Sequence, residues 1–435
     1  MLQICPALIT RSGVVFRKKR RLSRQAVITF KITAYPSIVY LSNVKRIFVW
    51  LIGALLILIS SPAAKAQTYR LSEAAEISVI TCGPDVNELY SAFGHSAIRV
   101  RDPQLGFDYA FNYGVFDFDQ PNFYLNFARG RNFYMLAAYD FADFENSYRR
   151  AERFIHEQIL QLTYAQKQKI FDFLVWNAQK ENRTYRYDYY RDNCASRIRD
   201  VLQSQLGADV KWDSSSFEPQ HSFRQKTDEY LGPLPWGDLG IDICLGAPID
   251  RQMTAWQYMF LPDYIDYFVQ HAQVQSDSAW LPLTRERVVI FEPEPVDARI
   301  AFVHPWIAFG SLLAIVVAIS LWDWRRQNLS RWLDVLLFGV AGLIGVLLLM
   351  LWTLTDHHDA ASNFNLLWAF PLHLVGVYLL LKRSSFITGY FRFCVVQLSV
   401  TLVFWPWWPQ ELNIFLLPIA GALLVRSALI WRLTK

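Results

Sequence analysis

From Phe302 onwards the chain gives up mixed polar patterning and becomes a series of apolar runs, at roughly 302–322, 333–354, 363–381, 388–405 and 412–431. Each approaches the roughly 20 residues that a helix needs to cross a bilayer. Backbone groups in hydrocarbon can be satisfied only inside helices or closed barrels, so residues 299–435 are expected to form a five-helix transmembrane bundle. The loops set its direction. Arg325, Arg326 and Arg331 join the first two runs, Lys382 and Arg383 the third and fourth, and Arg432 and Lys435 follow the fifth. The alternate loops carry Asp356, His357, His358 and Asp359, and then the aromatic turn WPWWPQE. Basic loops stay on the cytoplasmic side. The C-terminus is therefore expected in the cytoplasm, and the soluble segment before residue 299 and the TDHHDAASN loop on the outer side.

The N-terminal part points the same way. Lys45 and Arg46 precede an apolar run from Ile47 to Ile59, followed by Pro62 and by Ala64-Lys65-Ala66. That is the layout of a secretory signal peptide, over residues 44–66, and its run is too short to span a bilayer comfortably. Residues 1–43 are long for a leader and carry a basic cluster from Arg17 to Arg24. They are expected to be a non-native or disordered extension, with translation starting near Leu41 or Val44. The net charge of +5 owes much to that cluster. No aromatic-and-basic groove pattern points to nucleic acid.

Residues 67–298 have the composition of one exported α+β domain. Ile77–Thr81 and Ala97–Val100 read as strands, and 145–180 as helical, with Phe154, Ile159, Leu162, Ile170 and Leu174 at helical spacing. Fifteen aromatic residues fall between Phe107 and Tyr148; their near-alternate spacing suits paired strands. Two residues carry chemistry. Asp192 and Asn193 are good N-cap residues, so Cys194 is expected in the first turn of a helix, where free N–H groups stabilise a thiolate. His95 follows Gly94 at a loop-to-strand junction. A helix-borne cysteine against a strand-borne histidine is the arrangement of papain-type thiol enzymes, here with the histidine first, as in a circular permutation.

The remaining parts are open at this stage. Asn112 is the expected orienting partner of the imidazole, with Ser96, Tyr113 and Asp117 as competitors. The backbone N–H of Cys194 is available for an oxyanion, and Arg197 or Arg199 for a phosphate. The bland alternative is a Cys82–Cys194 disulfide, permitted in an exported protein. No Cys-x-x-Cys or His-x-x-x-His spacing surrounds either residue, so neither a metal nor a cofactor is expected. In TDHHDAASNFNLLWAFP, His357, His358, Asn363 and Asn365 are candidate substrate-binding residues, because polar groups at a membrane border are costly unless they serve something. Arg392 and Arg426 are expected to snorkel to an interface.

With FGHSAIRV, FNYGVFDF, NFYLNFARG, RDNCASRIRDVL, GIDICLGAPIDRQMTAWQYMFLPDYI and TDHHDAASNFNLLWAFP in that order, the chain resembles the Lnb family of bacterial lipoprotein N-acyltransferases over nearly all of 75–432. The resemblance implies a periplasmic papain-like (NlpC/P60-type) domain on an inner-membrane region. It also implies Cys194 as nucleophile, His95 as base, a membrane phospholipid as acyl donor and a diacylated lipoprotein as acceptor. Two other readings use the same sequence: a membrane-tethered cysteine peptidase or amidase of the cell envelope, and a non-catalytic envelope assembly protein.

Overall fold

The computed structural model describes residues 69–85, 88–276, 279–294 and 303–435; the expected signal peptide and leading extension lie outside them. In chain order the strands are β1 Glu76–Cys82, β2 His95–Asp102, β3 Phe107–Val115, β4 Phe133–Asp140, β5 Ile155–Leu160, β6 Thr184–Arg186, β7 Val210–Lys211, β8 Gln273–Ser276, β9 Ala279–Pro282 and β10 Thr284–Phe291. The helices before the apolar region are α1 Phe123–Ala128, α2 Phe141–Arg150, α3 Tyr164–Ala178, α4 Cys194–Leu206, α5 Phe223–Leu231, α6 Pro235–Cys244, α7 Ala255–Tyr258 and α8 Pro262–His271. The apolar region adds α9 Pro305–Arg326, α10 Arg331–Leu354, α11 His373–Lys382, α12 Ile387–Val403 and α13 Leu417–Leu433.

Seven strands form one antiparallel sheet in the order β10-β5-β1-β2-β3-β4-β6, and β7-β8-β9 form a small second one. The helical expectation over 145–180 is corrected here: Ile155–Leu160 is β5, between β10 and β1, and its burial on both faces hides the alternation that marks a strand. Alternation along the central strands sends residues to both faces. On one face Ile77, Val79, Ile98, Val100 and Phe111 meet Ile170 and Leu174 of α3, Ile198 and Leu202 of α4, and Ile265 and Phe268 of α8. On the other, Ile80, Cys82, Ala97 and Ala110 lie under Phe141 and Phe144 of α2. The middle of the sheet is thus covered on both sides, and β2, which begins with His95, is rigidly held.

Residues 68–435 form one compact unit. In the C-terminal region α9, α10 and the stretch Ile414–Leu433 are long and apolar enough to cross a membrane. The expected span over 363–381 is replaced by a 3-10 turn, Phe364–Leu367, and the ten-residue α11. The reason is local: Asn363 Oδ1 caps the turn through the N–H of Asn365 at 2.9 Å, and Pro371 disfavours helical geometry at the residue before it. The expectation for Arg426 is also corrected. It does not snorkel but is fully buried, bonded to both oxygens of Asp334 at 2.6 and 3.0 Å and to Asp323 at 3.0 Å. This cluster ties α13 to α9 and α10, because a buried guanidinium must find its charge inside the protein.

Candidate active site

Cys194 stands at the first position of α4, put there by a capping box. Asn193 Oδ1 accepts from the N–H of Ser196 at 2.9 Å, and Ser196 Oγ accepts from the N–H of Asn193 at 2.8 Å. The Asn193 amide also donates to the carbonyls of Tyr189 and Phe260, each at 2.8 Å. The helix start is therefore fixed to two other segments. His95 opens β2 immediately after Gly94, whose φ is +76°; a Cβ there would lie 2.8 Å from the Cys82 carbonyl oxygen. Only glycine combines that backbone with that approach. Asn112 comes from β3, next to an irregularity in the β3–β4 register between Asn112 and Val115. Bulges of this kind re-aim side chains. The glycine inside it, Gly114, takes φ +87°, a backbone that other residues rarely adopt, and an added Cβ there would sit in ordinary contact with the Cys194 Cβ at 3.6 Å.

These three residues meet. His95 Nε2 and Asn112 Oδ1 are 2.5 Å apart, and the His95 and Cys194 side chains are hydrogen-bonded. Because an amide oxygen only accepts, Nε2 must carry the proton, which leaves Nδ1 to face the thiol. Burial alone would push the His95 pKa down, but attraction to the Cys194 sulfur and the hydrogen bonds from Cys194 and Asn112 outweigh it and raise the value above 6.5. Burial likewise opposes ionisation of Cys194. The imidazole charge, its hydrogen bond, and the N–H groups of Ser96 and Ala195 overcome that and bring the thiol below 9.0. The pair is poised toward thiolate and imidazolium.

Cys82 is a contrast at close range. It is the register partner of His95 on β1 and completely buried, and burial pushes its thiol well up. Tyr148 hydrogen-bonds to Cys82 and stacks on the His95 ring at 6.4 Å. Cys82 and Cys194 both carry free thiols, so the disulfide alternative is not formed.

The competitors for the third position are placed elsewhere. Tyr113 donates to Asn177 Oδ1 at 2.7 Å, and Asp117 accepts from the N–H of Asp119 in an exposed turn. Ser96 contributes its main-chain N–H, while its buried hydroxyl has no partner among the described residues. Arg197 is bound through two nitrogens to Asp192, one contact at 2.6 Å, and lies 4.0 Å over the Tyr185 ring. Its charge is already answered. Tyr187 carries no distinguishing mark in the sequence, yet its ring is 3.8 Å from the Cβ position at Gly114, beside Cys194. Nothing in TYRYDYYRDN separates it from its neighbours.

The 356–365 segment divides in two. Asp356 pairs with Arg131 at 2.9 Å and Arg186 at 3.3 Å, Asp359 with Arg191 at 2.8 Å, and His357 Nε2 donates to the Phe127 carbonyl at 3.0 Å. His357 and His358 line a cavity of about 290 Å³ together with Arg186, Tyr187 and Tyr189. Asn363 and Asn365 lie outside it. Both are buried, and their amides donate to the carbonyls of Asp242, Ile243 and Cys244 at 2.8–3.3 Å, which clasps α6 to the bundle. Nearby, Arg224 pairs with Asp242 at 2.5 Å and Asp250 at 2.8 Å, all three nearly inaccessible. The carboxylates of Asp228, Asp238 and Asp242 gather within 4.8 Å, close enough to hold a metal. A proton answers the same crowding: burial, with the neighbouring carboxylates, raises Asp228 to about 9 and Asp238 to about 6.

A thiol polarised by an oriented imidazole, in an antiparallel α+β domain clasped to apolar helices, defines a membrane-attached protein with a thiol site. The chain belongs to the Lnb family: the Lnb N-terminal periplasmic domain matches residues 62–228, and the Lnb transmembrane domain matches residues 297–435. It is thus an inner-membrane protein with a periplasmic soluble domain. No curated protein and no solved structure gives a significant match.

Proposed function

We propose that this protein is a lipoprotein N-acyltransferase working through a Cys194 thioester. The observation that carries the reading is the hydrogen-bonded line Cys194–His95–Asn112, set in a periplasmic domain of the Lnb family and clasped to its membrane region. The Cys194 thiolate attacks an acyl ester of a membrane phospholipid. A C–S bond forms, the ester C–O bond breaks, and the imidazolium of His95 protonates the departing lysophospholipid oxygen. The α-amine of a lipoprotein's diacylglyceryl-cysteine then attacks the thioester. The amide bond forms, the C–S bond breaks, and His95 receives the amine proton, from which the thiol is restored. Asn112 holds the imidazole with Nδ1 toward sulfur throughout. The Cys194 N–H, at the first helical position, has no acceptor within its helix and can serve the oxyanion. The domain is read as a permuted papain-like fold, with the base strand ahead of the nucleophile helix in sequence and the C-terminus in the cytoplasm.

Mass spectrometry of lipoprotein N-termini tests this. Triacylated termini are expected with the wild-type protein and diacylated ones with Cys194→Ala. Unchanged termini in that variant would exclude the acyltransferase; cleaved cell-wall peptides in place of acylated amines would establish the peptidase or amidase reading.

A further inference from the structure

α1 is anomalous for a helix in water. It reads FYLNFA, and none of its residues is buried. Tyr124 is 76% exposed, and Leu125, Phe127 and the preceding Phe118 are all exposed too. From Gln120 to Ala128 the chain carries no Asp, Glu, Lys, Arg or His. An isolated apolar side chain on a surface needs no explanation, but a contiguous group of four large ones does.

Its position says what covers it. The segment just after α1 is joined to the end of a membrane helix: the N–H of Asp356 donates to the Arg129 carbonyl at 2.8 Å, and His357 donates to the Phe127 carbonyl. Gly130 is packed so closely that a Cβ would fall 2.8 Å from the Asp356 backbone. α10 ends at Leu354, two residues earlier, after 24 residues. At 1.5 Å per residue that helix is about 36 Å long, enough to cross the roughly 30 Å hydrocarbon core. α1 is therefore pinned at the level where the bilayer begins, and Phe and Tyr are suited to that boundary.

The same rings continue inward. Phe123 packs on Phe116 at 6.2 Å, Phe116 on Tyr134 at 5.1 Å, and Tyr134 on Tyr187 at 4.3 Å, and Tyr187 borders Gly114 and Cys194. An aromatic series thus runs from the exposed helix to the thiol.

We infer that residues 118–127 form a wedge inserted into the periplasmic leaflet of the membrane, and that the aromatic series from Phe123 to Tyr187 guides a phospholipid acyl chain from that leaflet to Cys194. The guiding role rests on the acyl-transfer reading; insertion of the wedge does not. The test places the photoreactive residue p-benzoylphenylalanine at position 124 of the full chain, in the Cys194→Ala background. The protein is reconstituted in vesicles of phosphatidylethanolamine and phosphatidylglycerol with a diacylated lipopeptide added. Irradiation is expected to give an adduct with the mass of a phospholipid. An adduct only with the peptide part of the lipopeptide, or none, overturns the wedge. In a second arm Leu125→Glu, with Cys194 intact, is expected to lower the yield of Cys194 thioester from vesicle phospholipid by at least about tenfold. An unchanged yield overturns the guiding role. If phospholipid is crosslinked but the wild-type protein forms no thioester, the acyl-transfer reading fails while the wedge stands.

Discussion

The thiol site and the seam between the periplasmic domain and the bundle are both built from buried polar side chains, but these end on different partners. At the seam Asn363 and Asn365 finish on main-chain carbonyls, and Arg224 on two carboxylates, with every bond inside the protein. At the site Cys194 and His95 finish on each other, two groups that share a proton and hold pKa values displaced toward one another. Buried polarity that ends on backbone or fixed charge secures a shape. Buried polarity that ends on a transferable proton is ready for chemistry. Residues alike in type and depth are separated by that criterion.

Substitutions can break this contrast, and the largest effect is expected at the thiol. Cys194→Ala should abolish N-acylation in lipoprotein mass spectra and leave the melting temperature within about 2 °C of wild type, since alanine suits a first helical turn. A variant that unfolds instead would make Cys194 a structural residue and erase the distinction. Arg224→Met is expected to do the opposite. It strands Asp242 and Asp250 in a buried site, a loss of about 3–5 kcal/mol, read as a steep fall in melting temperature in detergent. If it removed acylation without lowering stability, the seam would belong to the site.

Asn112→Ala should come next, removing a hydrogen bond to a group that becomes charged. That is roughly 1.5–3 kcal/mol, or about a tenfold to hundredfold loss in acylation rate. The sign of its pH effect follows from the pair. The thiol lies below 9.0 because His95 carries positive charge beside it, and Asn112 supports that charge. The midpoint of iodoacetamide alkylation should therefore move up in Asn112→Ala, and further in His95→Gln. A midpoint that stays put would remove Asn112 from its orienting role.

The last effect, on stability alone and not on acylation, concerns Asp228, with a folded-state pKa of about 9 against 3.8 for the free side chain. An acid raised on folding contributes stability that is complete below the unfolded value and is lost as pH rises through the folded one. Asp228→Asn should therefore raise the melting temperature at pH 8, with the gain shrinking toward pH 4. A gain independent of pH would mean that the carboxyl is not the cause.

Much of this was legible in the sequence because the signals were local. The first-turn position of Cys194, the strand that follows His95, the α+β character and the apolar C-terminal region all rest on neighbours in the chain. Asn112 is the expected partner by residue type and position, but what separates it from Tyr113 is not local: the bulge that aims it depends on the register of β3 against β4. For Asn363 and Asn365 composition points to ligands, because it cannot show that the carbonyls of α6 lie above them. The snorkelling expectation for Arg426 fails for the same reason: Asp323 and Asp334 are 103 and 92 positions away. Tyr187 gave no signal among so many tyrosines.

The short helix α11 has a consequence of another kind. Its ten residues rise about 15 Å, roughly half of a hydrocarbon core, and the chain before it is not one continuous helix. Side chains serve carbonyls there instead: His373 Nε2 donates to Trp368 at 3.2 Å, and the Gln397 amide donates to Leu367. Removing either donor leaves a bare carbonyl in an apolar setting. In a living cell such a chain would be cleared by proteases before its turnover could matter. Positions like Gln397 therefore govern how many molecules the membrane retains, and their variants would show as a fainter band on a blot while each surviving copy works at its usual rate.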